Sequence, residues 1–90
     1  MATVRVMMPL PRSAGGCREF EVAGANLGEV FHSIATMYPD LGGMLLDRTG
    51  CPFPHIVVLL DGQSVRGEGL ATRDVATNAT IDFLEAMAGG

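Results

Sequence analysis

Lysine is absent from this chain of 90 residues, and so is tryptophan. No ε-amine is therefore available for a Schiff base or an isopeptide bond. Its six positive charges are all arginine, against ten acids, for a net charge of −4. An acidic chain with scattered arginines is a poor binder of a phosphate backbone, so nucleic acid is not expected as a partner. The longest unbroken apolar run, Ile56–Leu60, has five residues, where a membrane helix needs about 20. No basic stretch followed by an apolar one opens the sequence, so no signal peptide is read. The expectation is a soluble cytoplasmic protein with no membrane partner. Two cysteines, Cys17 and Cys51, stand far apart without a CxxC motif; reduced thiols are the default, and a four-thiolate cluster is excluded. His32, His55, Cys17 and Cys51 lack zinc-type spacing, so no metal is expected. At 48% hydrophobic and 18% charged, the chain is not a disordered acidic tail, and its length suits one small domain.

Thr3–Met7 alternates with period two, placing Val4 and Val6 on one side, and reads as a strand. Pro9 and Pro11 end it. Arg12–Gly16 reads as a turn, and Cys17–Val22 as a second strand with Phe20 and Val22 inward. Asn26 followed by Glu29 has the form of a capping box. Leu27, Val30, Phe31, Ile34 and Tyr38 then make a helical apolar stripe, which Pro39 should end. Residues 40–47 are read as a short second helical turn, although two glycines count against it. His55–Leu60, apolar from Ile56 onward, suggests a central strand covered on both faces, with Val57 and Leu59 in the core. Asp61-Gly62 marks a hairpin turn, and Ser64–Arg66 a short returning strand. Leu70 and Val75 should anchor a long loop. Thr80–Leu84 alternates again, with Ile81 and Phe83 inward. The fold class is α+β: a mixed sheet of four to five strands with one main helix across it, in β-grasp order. The domain is assigned to 1–84 and a flexible tail to 85–90.

The chemistry-bearing feature is the end, Ala86-Met87-Ala88-Gly89-Gly90. Two glycines can be threaded through a narrow slot, presenting the Gly90 carboxylate to a reactive centre. A carboxylate is a poor electrophile until activated, and adenylation by ATP is the usual biological route. The activated acyl group can then accept sulfur or an amine. The chain holds no matching set of catalytic side chains. Cys51-Pro52-Phe53-Pro54-His55 brings a thiol and an imidazole near in sequence without an oxyanion donor, and Glu19 and Glu21 read as a solvated face.

Leu60-Asp61-Gly62-Gln63-Ser64-Val65-Arg66, Gly69-Leu70-Ala71-Thr72 and Ile81 to Gly90 together resemble the bacterial ubiquitin-like sulfur carriers of the ThiS/MoaD family. Residues 38–41 and 44–47 resemble the cysteine-synthesis and molybdopterin types more than the short thiamine type. In place of the family's Asp-Gly-Asp-like turn before the last strand stands Ala76-Thr77-Asn78-Ala79-Thr80, where Asn78 can turn the chain. The resemblance implies a β-grasp fold and a protein co-substrate rather than an enzyme. It implies that the chain binds no cofactor, ATP being used by its partner. It implies an E1-like adenylyltransferase, a sulfur donor such as a sulfurtransferase, and a sulfur-accepting biosynthetic enzyme as partners. Gly90 would be adenylated and thiocarboxylated, Gly89 and Ala88 would thread, and Glu85 and Met87 would touch the partner. A protein modifier using the same tail, or a β-grasp scaffold module, are the alternatives.

Overall fold

The computed structural model describes residues 1–7 and 19–86. The expected turn at 12–16, the start of the second strand with Cys17, and Met87 to Gly90 lie outside the described residues. The elements run β1 (Ala2–Val6), β2 (Glu19–Val22), α1 (Leu27–Met37), α2 (Pro39–Leu45), β3 (Ile56–Leu60), β4 (Gln63–Val65), a 3₁₀ turn (Leu70–Thr72) and β5 (Thr80–Glu85). One mixed sheet has the order β2-β1-β5-β3-β4. β1 pairs parallel with β5, and the other neighbours are antiparallel. This is the ubiquitin-like β-grasp architecture expected from the element order.

The start of α1 follows from its capping residues. Asn26 is extended, and its side chain accepts from the Glu29 N–H at 2.9 Å. Glu29 reaches back to the N–H of Ala25, one residue before the cap, also at 2.9 Å. Leu27, Val30, Phe31 and Ile34 are buried, as their spacing predicts. Pro39 ends α1 and opens α2 as its first residue, where its missing N–H costs nothing. The glycine pair that argued against α2 is partly explained by contact with α1. A Cβ on Gly42 would come within 2.9 Å of the Ala35 Cα, so Gly42 is what lets the two helices approach.

The helices cover one face of the sheet. Val4, Val6, Phe20, Val22, Ile81 and Phe83 are buried there, and Phe83 meets Phe31 with ring centroids 6.1 Å apart. β3 departs from expectation. Ile56 and Val58 are its buried residues, while Val57 and Leu59 are half-buried on the opposite face. The register explains this: Val58 lies opposite Phe83 and Leu60 opposite Ile81, and directly opposed residues share a face. Nor is β3 central or covered on both sides; β5 holds the centre, and among the described residues no helix covers the second face of the sheet, where Val57 and Leu59 stay half-buried.

The Asp61-Gly62 hairpin has positive φ at both residues, 50° and 86°, as a type I′ turn requires. Asp61 also ties the hairpin to β5: its N–H donates to the Thr80 carbonyl at 2.8 Å, and its Oδ1 accepts from the Thr80 N–H at 2.9 Å. Val75 is buried and Leu70 packs on the core. Between them, Arg73 accepts from the Leu27 N–H at 3.0 Å, which fastens the long loop to the start of α1.

Candidate functional site: the open sheet face and the root of the tail

β5 delivers the chain to its end. It is the middle strand, held on both sides, and Glu85 is its last residue. The Ala86 N–H still donates to the His55 carbonyl at 2.7 Å, so the chain leaves the sheet from a fixed point. Met87, Ala88, Gly89 and Gly90 follow outside the described residues. Glu85 is exposed. Strand alternation sets it on the side of Phe83, away from its neighbour Leu84.

Leu84 belongs to the open face. It lies opposite Val57, and Leu59 lies opposite Asp82 on one side and Ser64 on the other. Val57, Leu59 and Leu84 are all half-buried and form an apolar patch leading toward the tail. Beside this patch is a group the sequence reading did not single out. Asp82 is nearly buried, its side chain 8% exposed, yet it faces away from the core. Arg5, opposite it on β1, binds it with both arms: Nε to Oδ1 at 2.6 Å and Nη2 to Oδ2 at 2.9 Å. The hydrogen bonds that Arg5 donates to Asp82, the charge of Asp82 and the charge of Glu19 push the already high Arg5 pKa further up. Period-two alternation in β1 and β5 had placed both residues outward; only the pairing of two distant strands reveals them as partners. Glu19 and Glu21, expected on a solvated face, are exposed across the same sheet.

The remaining candidates stand apart. His32 is exposed on α1. His55 is exposed and stacks on Phe53, centroids 5.6 Å apart and 19° from parallel. Phe53 itself is half-buried against the core. Cys51 is a free, exposed thiol at the end of a loop organised by Asp47, whose Oδ1 accepts from Thr49 N–H at 2.8 Å, Thr49 Oγ1, and Cys51 N–H at 3.2 Å. The Thr49 hydroxyl and the backbone donors hold the Asp47 carboxyl below its ordinary pKa of 3.8. Among the described residues, no three His, Cys, Asp or Glu side chains converge on one point, and no helix is long and apolar enough to cross a membrane. A cleft of about 630 Å³ opens between the loop at 51–54 and the loop at 66–72, with Ala86 on its wall.

No protein-family model matches the sequence, and no curated protein is similar to it in sequence. Solved structures do share its fold. CysO of Mycobacterium tuberculosis, described as an antigen, is 21% identical, with a TM-score of 0.81 over 97% of this chain and all of that one. CysO from the Amycolatopsis orientalis BexX/CysO complex is 24% identical, with a TM-score of 0.82 over the whole of both chains. Small archaeal modifier protein 1 (SAMP1) from Methanosarcina acetivorans is 25% identical, with a TM-score of 0.78 over 99% of this chain and 95% of that one. The chain thus has the ubiquitin-like β-grasp fold of the CysO and SAMP1 proteins, small chains like itself.

Proposed function

We propose that this chain is a ubiquitin-like sulfur carrier whose own contribution is to deliver one carboxylate. An E1-like partner would dock on the open sheet face, take the tail into its nucleotide site and join the Gly90 carboxylate to AMP, releasing pyrophosphate from ATP. Hydrosulfide, free or released from a donor's persulfide by a thiol that forms a disulfide with it, would then attack the acyl carbon, expel AMP and leave a thiocarboxylate. A sulfur-accepting biosynthetic enzyme would consume it. The observation that carries this reading is a half-buried apolar patch on the open face, with Leu84 on the central strand that leads toward the Gly-Gly end and Val57 and Leu59 on its neighbour β3. Docking the folded body converts a bimolecular encounter of the carboxylate into a local one. The fold shared with CysO, in one case taken from a complex with BexX, supports a carrier that works on a protein partner. Cysteine, molybdopterin or a thiosugar are acceptors consistent with the chemistry.

The fold is equally that of SAMP1, which favours a second reading: a modifier joined through Gly90 to amines of other proteins. Intact mass after incubation with an adenylating enzyme, ATP and a sulfur donor separates the two. Exchange of one oxygen for sulfur marks a carrier, a ligated adduct marks a modifier, and an unchanged mass leaves a binding module.

A further inference from the structure

The cleft beside the tail exists because β4 is short. β4 ends at Val65, opposite Val58, so Ile56 and Val57 have no strand beyond them. Gly67 and Gly69, with φ of 90° and 81°, turn the chain away into the 3₁₀ turn. The gap is lined by Phe53, Val57, Val65 and Leu70, with Arg66 and Ala86 also on its wall. Among the described residues Arg66 makes no hydrogen bond or ion pair, in contrast to Arg5. Glu68 shares the cleft wall and is exposed.

Sheet geometry sets the distance from the tail to Arg66. Val65, Val58 and Phe83 lie in one row across β4, β3 and β5. Arg66 follows Val65, and Ala86 is three residues past Phe83. Two strand spacings of about 4.8 Å and an offset of two residues at about 3.4 Å separate Ala86 from Arg66 by roughly 12 Å. The four residues after Ala86 span at most about 14 Å. Four extended residues are thus long enough to span the cleft from Ala86 to the Arg66 guanidinium. Met87 supplies one large apolar side chain, Gly90 as a free terminus would supply one anionic group, and the cleft offers apolar side chains and one cation.

We propose that Met87–Gly90 occupies this cleft between encounters with partners, with Met87 against Phe53 and Leu70 and the terminal carboxylate on Arg66. The proposal rests on Gly90 being a free terminus and adds a resting state to the carrier reading. A thiocarboxylate is also an anion and would be held in the same place. Any partner that takes the tail must first draw it out. A tail docked about nine-tenths of the time weakens the apparent affinity of an activating enzyme about tenfold.

The test compares amide NMR spectra of the full chain, a variant lacking Met87–Gly90, Arg66→Gln and Glu68→Gln. The proposal expects truncation to shift the amides of Phe53 and of residues 67–72. Arg66→Gln should shift them the same way and release the Gly89 and Gly90 amides to free-peptide mobility. Glu68→Gln should hold the tail more tightly. In a loading assay, Arg66→Gln should lower KM up to about tenfold with kcat unchanged. Amides at 67–72 that ignore truncation overturn the proposal. Shifts that grow with protein concentration overturn it as well, by placing a second copy's tail in the cleft. The carrier reading is tested separately by mass: a protein that loads sulfur with an empty cleft loses only the resting state, and one that docks its tail but never loads loses only the carrier function.

Discussion

The two faces of the single sheet use the same strands for different ends. On the covered face, Val4, Val6, Phe20, Val22, Val58, Ile81 and Phe83 are removed from water beneath α1 and α2. On the open face, the same strands present Thr3, Arg5, Thr80, Asp82, Leu84, Val57 and Leu59. Apolar burial is the main term that stabilises a fold, so the covered face holds the domain together. The open face keeps its apolar side chains half in water and fixes a charged pair among them. Such a surface, apolar at the centre with ordered charge beside it, suits recognition of a partner.

The largest expected effect comes from breaking the covered face. Phe31→Ala removes a buried ring packed on Phe83 and should cost about 3–5 kcal/mol, a large share of the 5–15 kcal/mol typical of a domain. Denaturant unfolding measures it; a loss under about 1 kcal/mol would mean that the site collapses around the missing ring. On the open face, Leu59→Ser should leave the unfolding midpoint nearly unchanged and yet reduce kcat/KM for loading at least about tenfold, since central interface residues carry most binding energy. Equal losses from Leu59→Ser in stability and in loading would erase the distinction between the faces.

Asp82→Asn tests the ion pair. It should lower stability by less than Phe31→Ala, because nearly half of the Arg5 side chain, 44%, stands in water, where screening weakens the pair. Glu85→Arg should change loading mainly through the association rate, with the difference shrinking as salt rises. The smallest effect is at Asp47. Its folded pKa is depressed, so its contribution to the loop at 47–51 is present above the unfolded value and lost as pH falls through the folded one. Asp47→Ala should remove that acid-side dependence and leave neutral-pH loading unchanged.

Most of the fold was legible because its signals are local. Asn26, Glu29 and Pro39 bound α1, and Asp61-Gly62 encodes its own turn. Alternation in β1 and β5 assigned their faces correctly. β3 failed this reading because Ile56-Val57-Val58-Leu59-Leu60 is apolar at every position. With no alternation, its parity depends on pairing with β5, a contact more than twenty residues away. The same limit hid Asp82: a carboxylate on an outward position reads as solvated until Arg5, 77 residues earlier, is seen across the ladder. The cleft is also a tertiary product, made by where β4 stops and where Gly67 and Gly69 turn. For the Gly-Gly end the sequence supplies the whole argument, and the fold supplies the strand that leads to it.

The central claim is that the protein works through its terminal carboxylate and contributes no reactive side chain. The measurement that tests it most directly is the intact mass of three proteins loaded under the same conditions: the chain as it stands, a variant lacking Gly89 and Gly90, and a variant extended by one residue after Gly90. The account predicts that only the first exchanges an oxygen for sulfur, with all three equally folded. Sulfur on the truncated protein would contradict it and move the chemistry to a cysteine, Cys17 or Cys51.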